Sequence, residues 1–341
     1  MEKTDLRNYT RDELEAIVKS LGGNKNDSAS LFECLYRLKA KTFNDIKGVN
    51  LKVLKLIESD YTLSPLKVSA KQESGKDKTI KMLLALPDGK KIETVIIPSN
   101  HGYSACVSSQ AGCACGCAFC ATGKIGFKRD LTAAEIIGQF MAAEQASGVK
   151  INNIIFMGMG EPFLNYENLI KSIHILTDHK GFAFPQTKIT VSTCGIAPKI
   201  KVLADSGLRV NLAVSIVTAD AKQRSKLMPV NKKYPLAEVI KAVKYYNQKS
   251  KRQVFFEYIM FDGVNDKAED AEKLYELIKD IDCKVNLIVY NKVKGGEFSP
   301  SRDEKAKAFQ KILVDKGIRT YQRREKGADI LAACGQLAGE T

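Results

Sequence analysis

The stretch Cys113-Ala-Cys-Gly-Cys117-Ala-Phe-Cys120 holds four of the nine cysteines in this chain of 341 residues. Taken as Cys113-x-x-x-Cys117-x-x-Cys120, it offers three thiolates at a spacing that can wrap a four-iron, four-sulfur cluster. An electron-transfer cluster normally has four cysteine ligands. Three ligands leave one iron open to a small molecule, so the stretch predicts a reaction centre rather than an electron store.

A structural zinc site is the alternative, because zinc knuckles also use short cysteine spacings. A structural zinc ion needs four protein ligands that leave no position open. No second cysteine pair or nearby His-x-His completes such a set here, and the closest histidine is His101. An odd cysteine count and a start that does not resemble a secretory signal argue against a disulfide framework. Metal or redox chemistry in a reducing compartment fits better, while Cys115 is an extra thiol that leaves the ligand set ambiguous.

Composition indicates an ordinary globular protein, with 44% hydrophobic and 27% charged residues. No apolar run approaches the roughly 20 residues that a membrane span needs, so we expect a cytoplasmic protein with no membrane contact. Lys and Arg total 53 against 39 Asp and Glu, a net charge of +14 spread along the chain. A polyanion such as nucleic acid would explain this excess, but solvated charged faces explain it equally well.

The N-terminal part, residues 1–98, is expected to be a small accessory domain. Thr10-Arg-Asp-Glu13 is a capping box that predicts the start of a helix, and a second helix is expected near residues 30–41. Residues 78–86 and 92–97 have the character of strands and flank a Pro-Asp-Gly turn. This pattern predicts a β-hairpin after the helices.

The remainder, residues 99–341, alternates between strand-like and helical segments, and the first helix opens on the capping box Thr132-Ala-Ala-Glu135. Strand-like runs lie at 153–159, 188–193, 211–216, 254–260, 285–290 and 319–322. Helical segments lie near 166–177, 236–248, 267–279 and 303–316. Repeated βα units predict a parallel sheet in an α/β fold, and six or seven strands suit a partial (βα)6 barrel. Loops at the carboxyl ends of such strands carry the chemistry, and the cysteine stretch precedes the first helix.

Six motifs occur in a distinctive order: Cys106-Val-Ser-Ser-Gln-Ala-Gly-Cys113, Cys117-Ala-Phe-Cys120-Ala-Thr-Gly, Gly126-Phe-Lys-Arg-Asp-Leu-Thr, Met157-Gly-Met-Gly160-Glu161-Pro, Arg224-Ser-Lys-Leu-Met-Pro-Val-Asn231-Lys-Lys-Tyr and Ala332-Ala-Cys334-Gly-Gln-Leu-Ala-Gly. From about residue 90 to the end, the chain resembles the radical S-adenosylmethionine (SAM) RNA adenine methyltransferases. Their RlmN-type members methylate adenine C2 and their Cfr-type members methylate C8. Both types share these motifs, so C2 is preferred only because the RlmN type is the common housekeeping form.

The resemblance implies a radical SAM barrel with one [4Fe–4S] cluster and two SAM molecules per turnover. Its cluster ligands would be Cys113, Cys117 and Cys120. The open iron would hold the amino and carboxylate groups of SAM, and reduction would cleave SAM to a 5′-deoxyadenosyl radical. The positions that match SAM contacts are Gly160, Glu161, Ser192, Ser215 and Asn291. Of these, Glu161 could pair with the SAM ammonium.

Three further residues match catalytic positions of the family. Cys334 resembles the methyl-carrying cysteine, and Cys106 resembles the thiol that frees the product by forming a disulfide with it. Glu93 matches the proposed proton acceptor, although a solvent-facing strand carboxylate is the alternative. A lone cysteine is more often a small core residue, which is the role expected for Cys34, Cys194 and Cys283.

One triplet, Ser215-Ile-Val217, departs from the Ser-Leu-His that is common in the family. The loss of an imidazole suggests a divergent member whose substrate could differ. The resemblance otherwise implies adenosine 2503 of 23S rRNA as substrate, tRNA adenosine 37 as a second candidate, and a monomer served by an electron donor such as flavodoxin. The rivals are a non-catalytic iron–sulfur or zinc RNA-binding protein, and a radical SAM enzyme with another RNA or a small molecule as substrate.

Overall fold

Short helices begin the chain in the computed structural model, which describes residues 3–339. The expected capping box is present: the Thr10 side chain accepts from the Glu13 N–H, and the Glu13 carboxylate accepts from the Thr10 N–H. The helices are α1 (Arg11–Ser20), α2 (Lys25–Phe32), which continues as a π-turn over Glu33–Arg37, and α3 (Leu51–Asp60). Two parallel two-residue strands join the start and the end of this part, β1 (Thr4–Asp5) and β2 (Tyr61–Thr62). The second helix therefore starts before the expected residue 30, because Asn24 caps it.

The predicted hairpin is present, and a third strand extends it. These antiparallel strands are β3 (Lys67–Glu73), β4 (Ile80–Ala85) and β5 (Lys91–Ser99). The next strand, β6 (Gly102–Cys106), was missed by sequence analysis, because it has five residues and only two are buried. A small ribbon frames the cysteine stretch, formed by β7 (Gln110–Ala111) and β8 (Arg129–Asp130).

The parallel sheet of the predicted partial barrel is confirmed. After β6, its strands are β9 (Ile151–Phe156), β10 (Ile189–Thr193), β11 (Asn211–Ser215), β12 (Val254–Met260), β13 (Cys283–Val289) and β14 (Arg319–Gln322). Each neighbour along this series pairs in parallel. Six βα units and a closing seventh strand result, and the carboxyl ends of all seven strands lie at one edge.

The helices that connect these strands are α4 (Ala121–Ile125), α5 (Ala133–Ser147), α6 (Tyr166–Thr177), α7 (Ala197–Asp205), α8 (Ala221–Leu227), α9 (Leu236–Ser250), α10 (Ala268–Ile278) and α11 (Asp303–Asp315). Helix α5 starts at the predicted Thr132 cap. Sequence analysis missed α7 and α8, which have nine and seven residues. Pro198 favours an end to helical structure in a sequence, yet it is tolerated in the first turn, where its missing N–H has no partner to lose.

The hairpin and the barrel share one ten-stranded sheet. Strand β5 pairs antiparallel with β6, and β6 pairs parallel with β9, so Cys106 lies between Val95 and Ile155. The expected division after residue 98 falls inside this sheet. Buried side chains of helices and strands form one continuous hydrophobic core. Between residues 3 and 339, none of the helices is both long and apolar enough to cross a membrane.

Candidate active site

A cavity opens at the carboxyl ends of the parallel strands, where this class of fold places its chemistry. The cysteine loop, the ends of β9 to β13, the residue after β14 and the C-terminal tail all contribute to its wall. Predicted site residues in the lining are Cys113, Cys117, Cys120, Gly160, Glu161, Ser192, Ser215 and Cys334. The fold thus brings together residues that span more than two hundred positions of sequence.

The cysteine loop brings Cys113, Cys117 and Cys120 to the wall of the cavity. Its first turn requires glycine, because Gly112 has φ +78° and a Cβ there would lie 1.8 Å from the Gly126 carbonyl oxygen. Cys113, Cys117 and Cys120 are half-buried, and burial raises the pKa of Cys117 and Cys120, with further contributions from neighbouring thiols. Three crowded thiols are costly to ionise alone, whereas a bound metal centre stabilises the thiolates. The donor set therefore fits an iron–sulfur cluster.

Cys115 and Cys194 form a thiol pair beside this loop. Their Sγ atoms lie 3.4 Å apart, and both side chains are buried. The ligand atoms of these two cysteines and of Glu161 all lie within 4.8 Å of one another. Cys194 is thus a site residue that sequence reasoning assigned to the core, because nothing in its local pattern distinguishes it. Cys34 and Cys283, which were also expected to lie in the core, are buried as predicted.

Glu161 is buried and reaches the carboxyl ends of β9 and β10. Its preceding residue, Gly160, has φ +99°, and a Cβ there would lie 2.5 Å from Gln110 Cβ, so the turn requires glycine. The Glu161 carboxylate accepts from the N–H groups of Phe163 at 2.9 Å and Cys194 at 2.7 Å. Burial raises the pKa of Glu161, and these hydrogen bonds oppose that shift. Each carboxylate oxygen keeps a second lone pair that could accept from an ammonium group.

The predicted SAM contacts divide into two groups. Ser192 and Ser215 end β10 and β11 and line the cavity, as Gly160 and Glu161 do. Asn291 is nearly buried and instead donates through Nδ2 to the Cys334 carbonyl oxygen at 3.2 Å. In this conformation, Asn291 therefore contacts the C-terminal tail.

Val217, which replaces the family's histidine, is fully buried and occupies a strained turn. It has φ +67°, and the Thr218 N–H donates to the Ile216 carbonyl across it at 2.8 Å. A β-branched residue rarely adopts this conformation, and such strain occurs most often at functional sites. Asn265 donates to the Val217 carbonyl at 2.6 Å and holds the turn in place. The backbone at the end of β11 is thus fixed without an imidazole.

Of the two remote cysteines, Cys334 lines the cavity, and Cys106 lies near enough for the charges of the two to interact. Cys334 is exposed on the tail, whereas Cys106 ends β6 and is 7% exposed. Burial raises the pKa of Cys106 to about 12, and the charge of Cys334 contributes to the rise. Arg323, just after β14, lines the same cavity, and the charge of Cys334 is the main cause that raises the pKa of Arg323. Sequence analysis missed this cation, whose Nη1 atom also lies 3.4 Å from Glu257 Oε2.

Glu93 is 1% exposed, so the alternative of a solvent-facing carboxylate is wrong. Its Oε1 lies 3.2 Å from the ammonium nitrogen of the buried Lys81. Its Oε2 accepts from the backbone N–H groups of Ala338 at 2.7 Å and Gly339 at 3.1 Å. Glu93 and Lys81 thus fasten the tail that carries Cys334, and we call this pair with its two tail amides the tail clasp.

The tail also binds the end of the cysteine loop. The Ala121 N–H donates to the Gly335 carbonyl at 2.8 Å, and the Thr122 hydroxyl donates to the Leu337 carbonyl at 2.6 Å. Both donors directly follow Cys120 in sequence. The position of Cys334 is therefore coupled to that of the third loop cysteine.

Arg224 is fully buried beneath the cavity. Its guanidinium donates to the carbonyl oxygens of Cys194 at 2.7 Å, Ser215 at 3.1 Å and Ile216 at 3.1 Å, and to Asn231 Oδ1 at 2.8 Å. Arg224 and Asn231 belong to one of the motifs that carry the family resemblance, but the resemblance implied no role for them. We call them the Arg224–Asn231 bracket, because they join the ends of β10 and β11.

Comparisons with known proteins agree with this geometry. A family model described as the radical SAM superfamily matches residues 107–278. A relative in Acholeplasma laidlawii, named "probable dual-specificity RNA methyltransferase RlmN", is 43% identical over 98% of this chain and 99% of its own length. The "dual-specificity RNA methyltransferase RlmN" of Pelobacter propionicus is 40% identical over 99% and 97%. A crystal structure of a radical SAM methyltransferase from Sphaerobacter thermophilus superposes with a TM-score of 0.93 at 37% identity, covering 99% of this chain and all of that one.

Proposed function

The chain belongs to the RlmN family of radical SAM RNA methyltransferases, and we propose that it methylates C2 of adenosine 2503 in 23S rRNA. We propose tRNA adenosine 37 as a second substrate. As a member of this family, the enzyme uses SAM and a [4Fe–4S] cluster. The observation that supports the methyl-transfer route is that Cys334 lines one cavity with the three loop cysteines and lies near enough to Cys106 for their charges to interact.

In this proposal, Cys113, Cys117 and Cys120 hold the cluster, and Gly160, Glu161, Ser192, Ser215 and Asn291 contact SAM. When bound, the cluster and two successive SAM molecules supply an electron, a methyl group and a carbon-centred radical. The Cys334 thiolate accepts the methyl group by displacement: a bond from its sulfur to carbon forms as the sulfonium–carbon bond of SAM breaks. The guanidinium of Arg323 lines the same cavity and carries a positive charge that interacts with that of the thiolate.

Cys106 releases the product. Once the methyl carbon joins the base while still bound to Cys334, the Cys106 sulfur attacks the Cys334 sulfur. The electron pair of the sulfur–carbon bond moves to carbon, which takes a proton and completes the methyl group, and the two cysteines become a disulfide. Before this step, Glu93 accepts the proton that leaves C2, and the one electron that must also leave the base adduct would return to the iron–sulfur cluster held by Cys113, Cys117 and Cys120. A dithiol reductant must then restore both thiols before another turnover.

This role of Cys106 predicts a trapped intermediate. The Cys106→Ala variant should accumulate RNA covalently joined to Cys334, because the sulfur–carbon bond then has no attacking thiol. Cys334→Ala should form no adduct and no product while it retains its iron and sulfide. The adduct is measured by denaturing gel and by mass spectrometry of the tail peptide, with Cys283→Ala as the control. Normal turnover by Cys106→Ala would contradict the proposed role.

Identifying the methylated carbon of adenosine, and the RNA that carries it, tests the proposed reaction and its substrates. Mass spectrometry of nucleosides from 23S rRNA and tRNA treated in vitro should show 2-methyladenosine. A product methylated at C8 would place the chain with the Cfr-type enzymes instead. If reduced, reconstituted protein and SAM yield no 5′-deoxyadenosine, the proposal of radical chemistry fails.

We further propose the partners and the organisation of the enzyme. The enzyme works as a monomer in the cytoplasm, where its RNA substrates are made, and takes its electrons from a donor such as flavodoxin. Residues 1–98 act as an RNA-binding accessory domain and residues 99–341 as the methyltransferase core. The net charge of +14 supports contact with RNA phosphates.

A further inference from the structure

The cysteine loop turns one face to solvent. Ala114, Gly116 and Ala118 are exposed and alternate with the more buried cysteines. None of these three residues has a side chain longer than a methyl group. A partner molecule can therefore approach a cluster held by this loop more closely here than a bulky surface would allow.

A lysine-bearing segment lies directly beside this face. The Ala118 N–H donates to the Leu227 carbonyl at 3.0 Å, and a Cβ on Gly116 would lie 3.9 Å from Pro229 Cγ. Residues 222–233 carry four exposed lysines, Lys222, Lys226, Lys232 and Lys233.

These lysines have no carboxylate partner in the described part of the chain, whereas Lys241 and Lys311 on outer helices form ion pairs. The nearby Asp220 uses its carboxylate to cap α8 through the Gln223 N–H at 2.9 Å. The excess positive charge is therefore available to a partner. We call residues 114–118 and 222–233 the cluster-loop face.

We propose that the cluster-loop face is the docking surface for an acidic one-electron donor protein. This inference rests on the proposed function, because only radical SAM chemistry requires the cluster to be reduced. One electron leaves the reduced cofactor of the donor and enters the cluster, and no bond or group is exchanged. Opposite charges steer such encounters and raise the association rate at low salt. The small loop residues then shorten the distance that the electron crosses.

The same face is poorly suited to RNA. Proteins that bind single strands present exposed aromatic rings on which bases stack. The aromatic residue beside this segment, Tyr234, is half-buried, and the Lys233 ammonium lies 5.5 Å from its ring centroid. RNA must also reach Cys334, which lies on the tail that binds Ala121 and Thr122 at the other end of the loop.

Replacing lysines by glutamates tests whether the cluster-loop face binds the electron donor or the RNA. The triple variant Lys226→Glu, Lys232→Glu and Lys233→Glu is compared with a control that carries Lys180→Glu, Lys188→Glu and Lys201→Glu. The control lysines are also exposed, and two of them lie near the amino end of β10. Both variants change the net charge equally. Formation of 5′-deoxyadenosine is followed at low salt, once with reduced flavodoxin and once with dithionite, and RNA affinity is measured in parallel.

The cluster-loop variant should lose about tenfold or more of its flavodoxin-dependent rate, since removing a favourable field slows association. Its dithionite-dependent rate and its RNA affinity should stay at wild-type values. Equal flavodoxin-dependent rates in the two variants would overturn the proposal, and so would a loss of RNA affinity confined to the cluster-loop variant. If wild-type enzyme forms no 5′-deoxyadenosine with either reductant, the proposed function fails instead.

Discussion

Glu93 is a buried carboxylate, and a buried charge requires a partner. Lys81 supplies that partner from the adjacent strand, and two tail amides satisfy the second carboxylate oxygen. The tail clasp therefore has two roles that share one side chain: Glu93 holds the tail, and it is the proposed proton acceptor. Lys81 acts through Glu93, so we treat it as a positioning residue.

Replacing Lys81 should release the clasp. The Lys81→Met variant leaves the Glu93 charge unpaired, which should lower the free energy of unfolding by about 3–5 kcal/mol. The tail should loosen with it, so that less Cys334 becomes methylated during incubation with SAM. Urea unfolding measures the first effect, and intact mass of the protein measures the second.

Two controls separate the charge of Lys81 from a general loss of stability. Lys81→Arg keeps a cation at the clasp and should restore most of the methyl loading, whereas Lys67→Met removes an exposed lysine from the neighbouring strand. A Lys81→Met protein that loads methyl groups at the wild-type level would refute the clasp.

At the scale of elements, buried charged side chains join the ends of β10 and β11 within the apolar core. The backbone N–H of Cys194 donates to Glu161, and its carbonyl accepts from Arg224. Two buried, oppositely charged side chains thus bind the two peptide groups on either side of the Cys194 Cα, beside the cavity. Burial lowers the pKa of Arg224, and its hydrogen bonds compensate for part of its lost hydration.

Removing the Arg224–Asn231 bracket should weaken SAM binding. Arg224→Met removes this donor from the Cys194 and Ser215 carbonyls, at about 1–3 kcal/mol for each buried group left unsatisfied, whereas the Ile216 carbonyl keeps its bond from the Thr218 N–H. Ser192 and Ser215 lie on those strands, so we expect SAM affinity to fall about tenfold or more, equivalent to about 1.4 kcal/mol. The change that SAM induces in the electron paramagnetic resonance spectrum of the reduced cluster gives the affinity.

Arg224→Lys, which retains a charge and fewer donors, should lie between Arg224→Met and wild type. Arg209→Met changes an exposed arginine before β11 and serves as the surface control. Iron content and the unfolding free energy of cluster-free protein are measured for each variant. Wild-type SAM affinity in Arg224→Met would mean that the bracket has only a structural role.

Sequence analysis located correctly those elements whose hydrophobic pattern or capping residues lie within the element itself. Helix α6 was placed to the residue, and the capping box at Thr132 fixed the start of α5. Strand β6 was missed because its pairing with β5 and β9, rather than its own hydrophobicity, makes it a strand.

The residues of the site also divide into those that leave a local signal in the sequence and those that do not. Clustered cysteines leave a local signal, so the loop could be identified from its own residues, whereas Gly160, Cys106 and Cys334 were identified through the family motifs that they match. The Lys81–Glu93 pair contacts a tail more than two hundred residues away, and no local pattern reports such a contact. Cys194 and Arg323 are likewise site residues only because the barrel brings strand ends together.

For the whole molecule, the N-terminal strands hold the C-terminal tail, which lines the active site. The turn between β3 and β4 holds the tail: the Ser74 hydroxyl donates to Asp329 at 2.8 Å, and the Gly327 N–H donates to Asp77 at 2.9 Å. Because this turn holds the tail that carries Cys334, we expect an RNA that delivers a base to Cys334 to pass close to it. Lys76 and Lys78 are exposed on it.

Phosphate contacts at that turn should appear in the salt dependence of RNA binding. The double variant Lys76→Ala and Lys78→Ala should weaken binding at low salt, and it should reduce the slope of log affinity against log salt by about 1–2, since each lost phosphate contact removes about 0.7–0.9. The matched variant Lys180→Ala and Lys188→Ala removes the same charge near the amino end of β10, away from Cys334, and should leave the slope unchanged. Filter binding from 50 to 200 mM salt, about the range over which such contacts are strongly screened, measures both slopes. Equal slopes would show that RNA reaches Cys334 without passing the turn, and the accessory role of residues 1–98 would then need another surface.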